Sequence, residues 1–232
     1  MTKENKKSSG CFRLLLRVVA AFVILAVSIP VILFLPLNKL NPYVTSIQVQ
    51  RCVGMIVKGE KFKYERSWTQ LNNISRYMRR AVIAAEDAKF FQHDGIDFEQ
   101  AEDAIDDYND GRRMRGASTI SMQLVKNLYL WEGATKYDKF FRKGVEIYLT
   151  LWLELLLPKD RILEIYLNVV EWGRGIYGVE SAAKNYYRVS AKGLSRGQAA
   201  HLAAVLPSPL RHNPRDHSRF TERRAARILA RM

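Results

Sequence analysis

The stretch RAVIAAEDAKFFQHDG, residues 80–95, decides how the rest of the chain is read. At helical spacing Val82 and Phe90 stand four residues to either side of Glu86, so a carboxylate shares a face with apolar side chains. Burial there raises a carboxylate's pKa towards the range useful for proton transfer. The competing reading is that Glu86 only edges this face and pairs with Arg79 or Arg80. Taken alone, the stretch favours the ion pair.

Helical period continues on either side. Ser75 can cap a helix through Phe91 that ends at Gly95, and Ser118 can cap one through about Trp131. A third spans 140–157 and is stopped by Pro158, which itself can start the next, KDRILEIYLN. After a Gly-rich turn, EWGRGIYG (171–178), further helices are expected at 179–187 and 195–206. No repeat and no strand–helix alternation appears, so the fold class is mainly α. Residues 46–68, SIQVQRCVGMIVKGEKFKYERSW, have short β-like patches around Gly54 and Gly59 and read as a connector with a short β-hairpin.

Residues 18–37, VVAAFVILAVSIPVILFLPL, carry no charge and have the length that crosses a bilayer as a helix. The run is long for a signal-peptide core and no A-x-A-like site follows before Asn38, so an uncleaved anchor is expected. Lys3, Lys6, Lys7, Arg13 and Arg17 precede it, against Lys39 and Arg51 just after, which keeps the N-terminus cytoplasmic. The expected organisation is a basic tail (1–17), a single transmembrane helix (18–37), a connector (38–67) and an exported domain (68–232). Cys11 and Cys52 then lie on opposite sides of the membrane and form no disulfide.

At 232 residues, 48% apolar and 26% charged, the chain is neither disordered nor fibrous and can bury a sizeable core. Residues 1–37 hold five bases against one acid, leaving +10 of the net +14 on the exported part. An outward-facing basic domain excludes nucleic acid and favours anionic headgroups or a phosphorylated substrate. The arginines at 211, 215, 219, 223, 224, 227 and 231 read first as a solvated helix face, second as a membrane contact.

In GASTISMQLVKNLYL (116–130), Thr119, Gln123 and Lys126 form one polar stripe beside the apolar Ile120, Leu124 and Leu128. Small residues in the first turn leave N–H groups open to a phosphate, with Lys126 as a point charge further along. The plain alternative is a solvated amphipathic face. In FFRKGVEIYLTLWLELLL (140–157), Arg142 and Lys143 flank Glu146 at ion-pair spacing. Only Thr150 and Glu154 are polar from 147 to 157, so this helix is buried or touches lipid, with Glu146 at its polar mouth. Two carboxylates with a cationic cradle suit group transfer from a phosphorylated lipid donor.

These residues carry a resemblance. EDAKFFQHDG is similar to the E-D-x-x-F-x-x-H-x-G signature of the peptidoglycan glycosyltransferases, glycosyltransferase family 51, found in monofunctional biosynthetic transglycosylases and class A penicillin-binding proteins. GASTISMQLVKN resembles the family's G-G-S-T-x-x-Q-Q-L-x-K-N, RKGVE its R-K-x-x-E, and RILEIYLN with GIYGVESAAKNYY, then AAVLPSP, its later signatures, all in family order. The resemblance implies a lysozyme-like fold that polymerises lipid II into glycan strands with inversion at the donor anomeric carbon and release of undecaprenyl diphosphate. It makes the residue matching Glu86 the general base on the acceptor 4-hydroxyl. Glu146, with Lys126, Arg142 and Lys143, would assist departure of the diphosphate. Ser118, Thr119, Gln123 and Asn127 would meet substrate, and Asp87, Phe90 and His93 would support the base. Lipid II, the growing glycan, the bacterial cytoplasmic membrane and other cell-wall proteins are the implied partners. Some members are helped by Mg or Mn at the diphosphate, but no metal-ligand spacing shows here.

Met122 stands where the family has a Gln, Ala117 replaces its second Gly, and Lys136 and Lys139 are the stand-ins for a further diphosphate-binding base. Residues 97–110 are unusually acidic and precede Arg112, Arg113 and Arg115. The S-x-x-K match at Ser181–Lys184 lacks the other transpeptidase motifs. His201, His212 and His217 lack metal-site spacing and read as surface or structural groups. The rival classes are a lytic enzyme using Glu86 as an acid and a non-catalytic anchored scaffold.

Overall fold

The computed structural model of the chain describes residues 4–111, 116, 118–131 and 135–232. The expectations for Ala117, Arg112, Arg113 and Arg115 lie outside them.

Helix α1 (Glu4–Phe34) contains an apolar run that reaches on to Asn38 and is long enough to cross a membrane. Its last turn enters the domain core. Phe34 is fully buried edge-on against Tyr129, whose hydroxyl donates to Leu33 O at 2.8 Å. Beyond it, Asn38 donates to Leu156 O at 2.9 Å, and Arg161 donates to the carbonyls of Leu37 and Leu40 at 2.7 and 2.9 Å.

The segment expected to form a hairpin is instead helix α2 (Ser46–Val57), begun by a reciprocal cap between Thr45 and Gln48. Gly54 lies inside the helix and Gly59, at φ +63°, in the turn that follows it; Ser46 donates to Leu130 O and Arg51 pairs with Glu171, so tertiary contacts override the β-like composition. The strand signal survives only in β1 (Glu65–Arg66).

Helix α3 (Arg76–Glu86) is capped by Ser75, as expected, but stops at Glu86 rather than Phe91. Asp87 leaves the helix because its carboxylate is recruited elsewhere, so Phe90 is not one turn beyond Glu86 on a shared face. Helices α4 (Phe98–Asn109) and α5 (Ile120–Tyr129) follow, the latter capped by Thr119 instead of Ser118. Helix α6 (Lys136–Leu156) begins a turn earlier than expected because Thr135 and Asp138 cap it reciprocally. It buries Leu149, Leu153 and Leu157 and leaves Leu151 and Leu155 exposed, with the Tyr148 hydroxyl donating to Ala26 O of α1.

Helix α7 (Lys159–Val169) starts after Pro158 and runs through the centre, its Ile162, Ile165, Tyr166 and Val169 fully buried. The Gly-rich stretch forms β2 (Glu171–Gly173) and β3 (Ile176–Tyr177), an antiparallel pair to which β1 adds in parallel on the far side of β3. Gly175 makes this possible, since a Cβ there would lie 2.1 Å from Lys63 O. Helices α8 (Val179–Tyr187), α9 (Arg196–Val205) and α10 (Arg219–Arg231) complete the domain, α8 spanning the expected 179–187 and α9 falling within the expected 195–206, capped by Ser195. The mainly helical class is as expected.

Candidate active site

Glu86 ends α3 with its side chain only 11% exposed. One carboxylate oxygen accepts from Gln123 Nε2 at 3.0 Å, the other from Arg224 Nη2 at 3.0 Å. Burial raises its pKa above 4.5, against the opposing pull of the Gln123 hydrogen bond and the charges of Arg224 and Lys126. Arg79 and Arg80 are not its partners; the cation comes from the C-terminal helix. Gln123 is held in turn by Tyr166, whose hydroxyl donates to Gln123 Oε1 at 2.9 Å. That bond fixes the amide so that its NH2 faces the carboxylate.

Asp87 is buried and joins three segments. It accepts from His93 Nε2 at 2.9 Å and from the Ile120 N–H at 3.0 Å, at the start of α5. The Gly95 N–H donates to His93 Nδ1, so the other ring nitrogen carries the hydrogen given to Asp87. Gly95 adopts φ +91°, and a Cβ there would come within 2.8 Å of Thr150 and Glu154. Its carbonyl accepts the Thr119 hydroxyl at 2.6 Å. Thr119 is thus a buried cap, bonded to Gly95 and to the Met122 N–H. Phe90 is fully buried under the Lys159 ammonium, 4.6 Å from its ring, and Met122 is buried as well. Asp87 and His93 thus tie the residue after Glu86 to the start of α5.

The second carboxylate, Glu146, is buried on α6. Lys143 Nζ donates to it at 2.7 Å, Arg142 Nη1 lies 3.6 Å away, and Thr150 Oγ1 donates to its main-chain carbonyl. Lys143 also donates to Ser118 Oγ at 3.2 Å, while the Ser118 carbonyl accepts from Gln123 at 3.4 Å. Ser118 therefore closes one network from Glu86 through Gln123 and Lys143 to Glu146. Asn127 is buried on the same helix as Gln123, one residue after Lys126. Lys139 is exposed at the start of α6. The Nε–H groups of Arg224 and Arg142 are buried without a hydrogen-bond partner among the described residues, leaving a donor beside each carboxylate.

Glu86 opens into a cavity of about 480 Å³. Arg224, Arg227 and Arg231 line it, and so do the acidic Asp97, Glu99 and Asp103 in and just before α4. The acidic stretch and the arginine-rich helix thus share one cavity, where Lys89 pairs with Glu99. Tyr166 and Arg224 were missed by sequence reasoning; Arg224 lay in a run of arginines that looked like surface, and only the register of α10 singles it out. Around Glu146 the described partners are two cations, a donor set that does not fit Mg or Mn, which take several oxygen ligands. Ser181 is buried and Lys184 pairs with Glu180, so the S-x-x-K match forms no nucleophile pair.

A family model described as Transglycosylase matches residues 54–232. The chain is 43% identical over 221 residues to a biosynthetic peptidoglycan transglycosylase of Pseudomonas fluorescens, covering 95% of this chain and 89% of that one. It is 44% identical over 183 residues to the protein of that name from Chromohalobacter salexigens, covering 79% and 76% of the two chains. For the one from Bacteroides thetaiotaomicron the identity is 41% over 187 residues, with 81% and 74% covered. With its buried Glu86, its cation-flanked Glu146 and its helical, lysozyme-like domain, the chain belongs to the transglycosylase family.

Proposed function

We propose that the chain extends glycan strands by joining lipid II units, with the two carboxylates dividing the work. Membership of the family makes it a peptidoglycan glycosyltransferase of cell-wall biosynthesis. Glu86 takes the proton from the acceptor 4-hydroxyl as that oxygen attacks the anomeric carbon of the lipid-linked donor. The carbon–oxygen bond to the diphosphate breaks, the configuration inverts and undecaprenyl diphosphate leaves. Arg142, Lys143 and Lys126 meet the developing phosphate charge, and Glu146 holds the first two in place. The bases that precede the anchor favour a cytoplasmic N-terminus, which supports a domain on the outer face of the cytoplasmic membrane, where both substrates are lipid-borne.

The observation that carries this reading is the environment of Glu86: a base buried enough to be raised in pKa, oriented by Gln123, and linked to a cation-flanked second carboxylate. A lytic enzyme needs an acid but no cationic cluster at the leaving group. Purified full-length protein given lipid II in detergent should form polymer, and Glu86→Gln should form none. Release of soluble fragments from finished peptidoglycan, without polymer from lipid II, would establish the lytic alternative instead.

A further inference from the structure

The middle of α9, the residue before the Ser218 cap of α10 and the first turn of α10 bring together three side chains whose sequence spacing does not group them. His201, His217 and Glu222 each present a ligand atom, and the three atoms lie within 4.8 Å of one another. The spacing of 201 and 217 hid this, because the two histidines reach the carboxylate from different elements. His201 Nε2 is 3.3 Å from Glu222 Oε1, and His217 Nδ1 is 2.7 Å from the same oxygen. Ligands on a tetrahedral zinc ion at bond lengths of about 2.0–2.1 Å are about 3.4 Å apart, so the first distance already matches and the second needs a small opening.

Two further features favour a cation. His201 Nδ1 is 2.9 Å from the Gly197 carbonyl, which can only accept, so that nitrogen carries a hydrogen. In the neutral ring Nε2 is then a lone pair aimed at a carboxylate oxygen, an arrangement that calls for positive charge between them. A backbone carbonyl behind one imidazole nitrogen, with the other nitrogen free for metal, is the usual support of a metal-bound histidine. His217 is held at φ 48°, a left-handed conformation that costs free energy for a side chain bearing a Cβ and here turns its ring towards His201.

We propose that His201, His217 and Glu222 bind one zinc-type divalent transition metal ion that clips α10 to α9. Two imidazoles and a carboxylate are a zinc donor set, with water completing the tetrahedron. The clip sits at the start of α10; at its other end Arg196 donates to Leu229 O at 2.7 Å. Between these two ties lies Arg224, the partner of Glu86, so the ion would steady the helix that carries it.

Full-length protein in detergent, made without a polyhistidine tag and stripped with EDTA, is titrated calorimetrically with Zn2+ at pH 7.5. The expected result is one ion per chain and a rise in Tm that EDTA reverses. Loss even of a group supporting a metal ligand weakens binding by about 10–100-fold, so His217→Ala and His201→Gln should each cost at least that. Co2+ in place of Zn2+ should give the visible absorption of a tetrahedral site in the parent and not in either variant, with circular dichroism verifying that both stay folded. No saturable Zn2+ binding, or binding unchanged in the double variant, overturns the proposal. So does a Tm gain that appears only on acidification without uptake of metal, which would mark a protonated histidine–carboxylate pair.

Discussion

Arg224 and Glu86 stand 138 positions apart and meet at 3.0 Å, so the last helix of the chain completes the environment of a carboxylate on α3. The ion pair opposes burial: it lowers the pKa of Glu86 while desolvation raises it. Removing the guanidinium with Arg224→Met should leave desolvation less opposed and move the acid limb of the pH–activity profile upward. A tenfold loss of kcat/KM at pH 6 corresponds to about 1.4 kcal/mol, and the loss should shrink by pH 8. A uniform loss at every pH would show that Arg224 acts on substrate alone.

Glu86→Gln should lower kcat by about 10²–10⁴-fold, the usual worth of a positioned general base. Its effect on stability has the opposite sign. Because the folded-state pKa is raised, the native protein holds an extra proton between pH 4.5 and that value, and this contribution to stability fades as pH rises through it. The Tm difference between parent and variant should therefore turn against the parent on going from acid to neutral pH. A difference that is flat with pH would contradict a raised pKa.

Tyr166→Phe deletes the donor that orients Gln123, leaving a buried amide oxygen unpaired at a cost of about 1–3 kcal/mol. Polymerisation should fall further than stability alone explains, because the amide can then rotate away from Glu86. Equal activity per folded molecule would rule out the orienting role.

Gly95→Ala should destabilise by more than about 1 kcal/mol, since φ is +91° and the new methyl meets Thr150 and Glu154. Urea unfolding measures it, and a variant as stable as the parent would show that the turn can relax.

Lys143→Met removes the ammonium shared by Glu146 and Ser118. The expected outcome is a fall in kcat beyond what the accompanying drop in Tm explains, because the buried Glu146 is left with only Arg142, 3.6 Å away, measured as activity per folded molecule.

Several elements were legible before the fold was seen because their signals are local. Ser75 caps where a hydroxyl before an apolar period should, and Pro158 separates α6 from α7. The pairing of Glu146 with Arg142 and Lys143 could be read from their spacing along one helix. What failed was decided at a distance. The end of α3 depends on Asp87 being claimed by His93 and by α5, with no helix breaker in the sequence to announce it. Thr119 looked like part of a cleft-facing stripe, yet its hydroxyl is consumed by Gly95. Arg224 and the His201–His217 pair became visible only when α9 and α10 were packed together.

The junction between α1 and the domain has a mechanical consequence. Phe34 is fully buried beside Tyr129, and the next residues are clamped by Arg161 and the end of α6. A cleft joined to its anchor in this way cannot swing like a ball on a string. Its height above the bilayer is set by packing, so the depth at which a lipid-borne headgroup is met is a property of the fold.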